Sequence, residues 1–177
     1  MNEIFTIRRA SADSNDINAI GFLAQQIWPD TYGAILSPEQ LKYMLDLFYN
    51  PDALSRQMRE DKHQFIIVEQ GEEAIGFAAW GPVEPGMAKL HKLYVLQTGQ
   101  GKGLGRAMLD FIYGNLREEG VSKLRLNVNR HNKAQRFYEK LEFKIIGRED
   151  IDIGNGYYMN DFIMEASVPP GEYDDNI

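Results

Sequence analysis

The chain contains no cysteine. This absence excludes disulfides, thiolate metal sites and a cysteine nucleophile, and it favours a reducing, cytoplasmic setting. No apolar run approaches the length of a membrane span, and no apolar segment follows a basic N-terminus as it does in a signal peptide. His63 and His131 lack metal-ligand spacing with other residues. We therefore expect neither membrane insertion nor a metal site.

Basic residues are outnumbered, since 19 Lys and Arg stand against 26 Asp and Glu, and the formal net charge is −7. Such a balance argues against nonspecific binding to nucleic acid or to an anionic membrane, and it is compatible with a cationic substrate. The length of 177 residues suits one domain. We predict that residues 1–168 form this domain and that residues 169–177 are an acidic C-terminal tail.

The apolar pattern alternates between strand-like and helix-like segments, which predicts an α+β fold. Ser37 and Pro38 indicate a helix start, and Pro29 is expected to end or bend the helix before it. Residues 90–95 and 123–128 read as strands separated by a helix. Because a helical crossover joins parallel strands, we predict that these two are parallel neighbours.

The most informative stretch, residues 90–108, reads as a strand, a glycine-rich turn and the start of a helix. Its backbone N–H groups and the positive end of the helix dipole would converge on an anion such as a phosphate or pyrophosphate. The P-loop pattern fails, because Gly103 stands where Ser or Thr is required. The dinucleotide fingerprint fails at Leu104 or Arg106. The pattern Gln/Arg-x-x-Gly-x-Gly/Ala is satisfied by residues 100–105.

With this loop in place, the sequence resembles the GNAT superfamily of acetyl-CoA-dependent N-acetyltransferases. Residues 132–143 are similar to the family segment Asn-x-x-Ala-x-x-Phe-Tyr-x-x-x-Gly-Phe and depart from it at Glu142, where glycine is usual. The resemblance implies a central, twisted, mostly antiparallel sheet of about seven strands, with one parallel pair and about four flanking helices. It also implies acetyl-CoA as co-substrate and, at family level, a possible homodimer. An ATP-binding protein that uses the same loop is a rival interpretation.

The resemblance assigns residues to the coenzyme. The backbone of the preceding strand would pair with the pantetheine arm, and Asn132 would contact the arm while also capping the following helix. The loop would hold the pyrophosphate, with Lys102 and Arg106 able to meet phosphates. The implied coenzyme-binding residues are Leu93, Tyr94, Val95, Gln100, Gly101, Lys102, Gly103, Leu104, Gly105, Arg106 and Asn132.

Two residues are candidates for catalysis. The family places a tyrosine at Tyr138 as general acid near the coenzyme sulfur, although Tyr138 also fits the apolar face of its helix. The glutamate base of many members is replaced by Lys89. His91, two residues further along the same strand face, is therefore the candidate general base. Without a cysteine, we expect direct attack by the amine in a ternary complex.

The acceptor is predicted to be a primary amine. Trp28, Tyr32, Tyr157 and Tyr158 are candidates for the acceptor pocket, where aromatic rings would favour a cationic or aromatic amine. A resemblance to bacterial polyamine-type acetyltransferases favours a polyamine-like or amino compound. A protein N-terminus or lysine is the alternative acceptor. A coenzyme A-binding sensor without turnover is the alternative from another class.

Overall fold

The structure is a computed structural model that describes residues 4–171. Its strands form one sheet in the order β1-β2-β3-β4-β5-β7-β6, and the β4–β5 pair is parallel. This is the predicted α+β architecture. Residues 4–171 contain five α-helices, whereas about four were predicted. The strands are β1 (Phe5–Arg9), β2 (Gln64–Gln70), β3 (Glu73–Glu84), β4 (Met87–Val95), β5 (Lys123–Asn129), β6 (Lys144–Gly154) and β7 (Tyr157–Ser167). The helices are α1 (Ser14–Tyr32), α2 (Pro38–Tyr49), α3 (Pro51–Arg59), α4 (Leu104–Glu118) and α5 (Ala134–Lys140).

Apolar side chains cover the sheet on both faces. In β2, Ile66 and Val68 belong to the core shared with α4, whereas Phe65 and Ile67 belong to the core shared with α1 and α2. Successive strand residues point to opposite faces, so a continuous apolar run such as residues 65–68 suits a strand buried on both sides. The central strands are therefore held firmly where the candidate site lies.

Strands β4 and β5 pair over only part of their length. The parallel register runs from Met87–Lys123 to Leu90–Leu126. Beyond it, β4 continues beside β3 as far as Val95, and β5 continues beside β7 as far as Asn129. The predicted parallel pairing is confirmed, but it ends where residues 91–95 begin. We call the diverging ends of β4 and β5 the fork.

A β-bulge lies in β4 at the base of the fork. Trp80 pairs with Leu90 and Ala79 pairs with Lys92, which leaves His91 as an extra residue in β4. A bulge breaks the strict alternation of side chains and bends the strand that carries it. The bulge therefore changes which β4 side chains share a face at the fork.

The start of α2 agrees with the prediction, whereas α1 continues past Pro29. The Ser37 hydroxyl accepts a hydrogen bond from the Gln40 backbone N–H at 3.1 Å, and α2 begins at Pro38 as predicted. Helix α1 does not end at Pro29, since it continues to Tyr32. Proline removes its own N–H donor, yet the helical hydrogen bonds resume after it, and the Gly33 N–H bonds the Pro29 carbonyl at 2.9 Å. This last turn carries Tyr32 to the fork.

Helix α5 begins later than predicted. Lys133 occupies the N-cap position, and the Asn132 side chain accepts a hydrogen bond from the Ala134 N–H at 2.9 Å. Asn132 therefore caps the helix from one position further out. After the helix, Glu142 adopts a left-handed backbone with φ of 69°. Glycine takes this conformation without steric strain, which explains why the family usually has glycine at this position.

The described part of the predicted C-terminal tail is attached to the fold. The Arg117 guanidinium donates a hydrogen bond to the Pro169 carbonyl at 3.0 Å. Residues 172–177 of the tail lie outside the described residues. Between residues 4 and 171, no helix has the length and apolar character that crossing a membrane requires.

Candidate active site

The fork opens into a cavity of about 560 Å³, which we call the donor cavity. Its walls come from the end of β4, the loop before α4, the first turn of α4, the end of β5 and helix α5. The predicted coenzyme residues that line it are Leu93, Tyr94, Val95, Gln100, Gly101, Gly103, Leu104, Gly105, Arg106 and Asn132. The structure thus brings together ten residues that are separated by up to 39 positions in the sequence.

The loop before α4 presents backbone donors to this cavity. Gly101 and Gly103 have φ of 79° and 75°, a left-handed conformation that glycine adopts readily. Gly103 is the N-cap of α4 and provides no side-chain cap, so N–H groups of the first turn stay available for an anion. The Gln100 side chain donates to the Val95 carbonyl at 3.3 Å and ties the loop to β4.

Two basic residues next to the glycines behave differently. Arg106 lines the donor cavity. The Lys102 ammonium instead lies over the ring of Phe5, 5.6 Å from its centroid, and Lys102 is not among the cavity-lining residues. A phosphate contact by Arg106 is therefore supported by its position, whereas one by Lys102 requires its side chain to leave Phe5.

Tyr138 lines the donor cavity and is absent from the walls of the second cavity described below. Its buried ring packs edge-on against Phe137 and Phe143, so it is both a core residue and a cavity residue. A Cβ added to Gly105 would lie 3.1 Å from the Phe137 ring, which shows how closely α5 approaches the loop. Burial raises the pKa of Tyr138, which keeps its hydroxyl protonated at neutral pH.

A second cavity of about 330 Å³ lies on the α1–α2 side of the sheet, and we call it the acceptor cavity. Three of the four candidate acceptor residues, Trp28, Tyr32 and Tyr158, line it. Tyr157 does not, because its ring packs against Tyr43 with centroids 5.3 Å apart. The residues that border both cavities are Tyr32, Leu90, His91, Lys92, Tyr94 and Asn127.

Two tyrosines join the cavities. The hydroxyls of Tyr32 and Tyr94 are 2.9 Å apart and share a hydrogen bond. Burial raises the pKa of both phenols, so both are neutral at physiological pH. They connect the end of α1 to β4 at the point where donor and acceptor must meet.

His91 also borders both cavities. Its ring stacks on His63 with centroids 4.0 Å apart and planes inclined by 17°. Burial, followed by the charges of His63, Lys89 and Lys92, lowers the pKa of His91 to about 3. The imidazole is therefore neutral at physiological pH and has a free acceptor nitrogen, but it binds a proton weakly.

The sequence analysis did not identify two buried, charged residues that line the acceptor cavity. Asp161 on β7 is only 4% exposed, its carboxylate accepts a hydrogen bond from the Asn127 amide at 3.3 Å, and burial raises its pKa. Lys92 on β4 is 8% exposed. Asp161 lies outside the stretches that the sequence analysis singled out, and Lys92 lies in one of them without an assigned role, so only their burial among distant residues reveals them. Across residues 4–171, no three or more His, Asp or Glu side chains cluster closely enough to hold a metal ion.

Comparison with known proteins agrees with this geometry. The model of the acetyltransferase (GNAT) domain matches residues 34–158. An uncharacterized N-acetyltransferase of Mycobacterium tuberculosis is 23% identical over 150 residues, which cover 84% of this chain and 96% of the relative. The ribosomal protein bS18-alanine N-acetyltransferase of Haemophilus influenzae is 36% identical over 89 residues, covering 50% of this chain and 57% of that protein.

A solved structure places coenzyme A in the same fold. The PaiA N-acetyltransferase of Thermoplasma acidophilum, in complex with coenzyme A, has a TM-score of 0.78 and 26% sequence identity. The similarity covers 93% of this chain and 99% of the other. An open fork, a glycine loop at a helix N-terminus and a matching family model lead to the same conclusion: the chain belongs to the GNAT family and is an N-acetyltransferase that takes its acetyl group from acetyl-CoA.

Proposed function

We propose that the enzyme acetylates the primary amine of a small molecule by direct attack on acetyl-CoA, with Tyr138 as general acid. The observation that carries the proposal is the pair of cavities that meet at the fork. Tyr138 borders only the donor cavity, and His91 borders both. Acyl donor and amine can therefore approach from opposite sides without a covalent enzyme intermediate.

The chemistry requires two proton transfers. The acceptor ammonium, with an ordinary pKa of about 10, must lose a proton before its nitrogen can attack the thioester carbonyl. The C–N bond forms, the C–S bond breaks, and the departing thiolate takes a proton. Tyr138 suits this last step because its buried hydroxyl is protonated and lies on the donor side.

The proton of the acceptor ammonium is assigned to His91, directly or through water, since His91 borders both cavities. Asp161 is the rival, because its raised pKa gives it the greater proton affinity. His91→Asn is expected to lower kcat by about 100-fold, in the range usual for a general base, with coenzyme A affinity unchanged. Steady-state kinetics of the His91→Asn and Asp161→Asn variants, measured in parallel, decide which residue is the general base. A full rate in His91→Asn with a large loss in Asp161→Asn would transfer the role to Asp161.

The size of the acceptor cavity favours a small molecule over a protein. Its volume of about 330 Å³ is at the lower end of small-molecule pockets. The bS18-alanine N-acetyltransferase to which the chain is similar acts, by its name, on a ribosomal protein, so a protein N-terminus is the second candidate acceptor. A non-catalytic coenzyme A sensor is the third reading, and the position of Tyr138 at the donor cavity argues against it.

An acceptor panel tests the proposal. The enzyme is incubated with acetyl-CoA and, in parallel, with small primary amines and with short peptides that begin with alanine or contain lysine. Thiol release measures turnover, and mass spectrometry identifies the acetylated product. We expect small amines to have the higher kcat/KM. Preferred peptides would overturn the small-molecule proposal, and coenzyme A binding without turnover on any acceptor would favour the sensor.

The cytoplasmic location rests on the absence of cysteine, and the assembly rests on the resemblance. A cytoplasmic enzyme has acetyl-CoA at hand, and a homodimer is an expectation at family level. Both stay predictions.

A further inference from the structure

The acceptor cavity contains a buried lysine without an acidic partner. Lys92 is 8% exposed and lines the cavity. Its ammonium donates to the Gln57 side-chain oxygen at 2.7 Å and lies 5.3 and 5.4 Å from the ring centroids of Tyr49 and Phe65. The ion pairs described within residues 4–171 involve Arg8, Lys123, Arg125 and Arg130 on the cationic side, and Lys92 takes part in none of them.

These contacts compensate the buried charge only in part. An ammonium has three N–H donors, and the described contacts give it one hydrogen-bond acceptor, which is neutral. The two rings add cation–π attraction. Burial lowers the pKa of Lys92 to about 8, so most molecules still carry the charge at pH 7. A buried charge is normally neutralised by a counter-ion, and here a counter-ion can reach the ammonium only from the cavity.

Gln57, Tyr49 and Lys92 all line the acceptor cavity, so the ammonium is placed among its walls. The charge environment distinguishes this place from the Asp161 side of the cavity. Burial raises the pKa of Asp161, and the charges of Lys89 and Arg130 act in the opposite direction, so this carboxylate has cations near it. Lys92 has no ion-pair partner among the described residues, so the group that would complete its environment is an anion.

Resting on the proposed small-molecule function, we propose that Lys92 binds a carboxylate of the acceptor, so that the substrate is an amino acid or another amine that carries a carboxylate. One carboxylate neutralises the single charge of Lys92 and accepts its remaining N–H donors. This assignment excludes a simple polyamine as the preferred acceptor, since a second ammonium would face Lys92 as a like charge.

A series of amines with the same chain length tests the carboxylate. The wild-type enzyme is assayed with ω-amino acids of three to six carbons, with the matching n-alkylamines and with the matching diamines. L-amino acids are compared with their decarboxylated amines in the same way. We expect at least about tenfold higher kcat/KM for the carboxylate-bearing member of the best pair. Equal kinetics across a series, or a preference for diamines, would overturn the proposal.

Variants assign the preference to Lys92. Lys92→Met keeps an unbranched side chain without charge, and replacing a buried charge by an apolar group of similar shape is usually tolerated. It should raise KM for the carboxylate-bearing amine at least tenfold, lower kcat/KM for that amine to the level of the matching alkylamine, and thereby abolish the preference. Lys92→Arg should retain part of it. Lys144→Met is the control. It removes the same charge from an exposed residue of β6, so KM should change neither for the carboxylate-bearing amine nor for the alkylamine.

The possible failures are distinguishable. If the wild type acetylates alkylamines and diamines but gains nothing from a carboxylate, this inference is wrong and the small-amine function stands. If it binds coenzyme A and acetylates no small amine, the proposed function fails and this inference falls with it. If Lys92→Met proves unstable in thermal unfolding, the wild-type series alone decides.

Discussion

Replacing Tyr138 with phenylalanine is expected to lower kcat by about 100- to 1,000-fold, the usual effect of removing a general acid. The ring still fills its place between Phe137 and Phe143, so folding should be preserved. Only the hydroxyl that protonates the departing thiolate is lost. Steady-state kinetics measure kcat, and calorimetry with coenzyme A should show a Kd within about twofold of the wild-type value.

Tyr113→Phe is the matched control for this variant. Tyr113 is likewise a buried tyrosine, but it lies on α4 and lines neither cavity. Its kcat should equal that of the wild type. The pH profile adds a second check, because an acid works only while protonated and activity falls as pH rises through its pKa. Since burial raises the pKa of Tyr138, no loss from this group is expected below about pH 10. A Tyr138→Phe enzyme with kcat within a few-fold of wild type would contradict the assignment.

Replacing Gly103 with valine is expected to weaken coenzyme A binding at least tenfold, or by about 1.4 kcal/mol. Gly103 has φ of 75°, which a β-branched residue adopts only with strain. An added Cβ would meet no atom within 4 Å, so the expected loss of affinity comes from the altered backbone of the loop and not from a clash within the protein. Calorimetric titration with coenzyme A measures the loss.

Gly120→Val separates this effect from general destabilisation. Gly120 has φ of 73°, and a Cβ there would also meet no atom within 4 Å. It follows the other end of α4, a helix of 15 residues that is about 22 Å long. Both variants should lose similar thermal stability, but only Gly103→Val should lose affinity. Equal Kd values in both variants would show that the loop does not hold the pyrophosphate.

Features encoded by short stretches of sequence could be predicted. The Ser37 cap depends on a hydrogen bond between residues three positions apart, and the glycine spacing of residues 100–105 defines a loop from the backbone alone. Element types and the parallel strand pair followed from periodicity and connection rules. Pro29 was expected to end or bend α1, and the helix instead continues to Tyr32, because one missing N–H donor does not stop a helix whose other hydrogen bonds are made.

Features that arise from packing between distant segments could not be predicted. Strict alternation puts Lys89 and His91 on one face of β4 and Lys92 on the other. The bulge at His91 instead lets all three line the acceptor cavity. Asp161 is buried because β5, β6 and β7 come together, which its own neighbours in sequence do not signal. Tyr157 lies outside this cavity because its ring packs against Tyr43, a contact between β7 and α2 that its neighbours in sequence do not signal.

The fork also gives the sheet more edges than its outer two. Besides β1 and β6, the divergent ends of β4 and β5 leave two inner edges that face each other across the donor cavity. A free edge invites strand addition from any extended chain, and natural proteins normally shield it. Here α4 and α5 flank the opening, so a narrow arm with amide groups can enter where a neighbouring protein's strand, with side chains on both faces, would collide. We expect the helices that narrow this opening to shield the two inner edges from edge-to-edge aggregation.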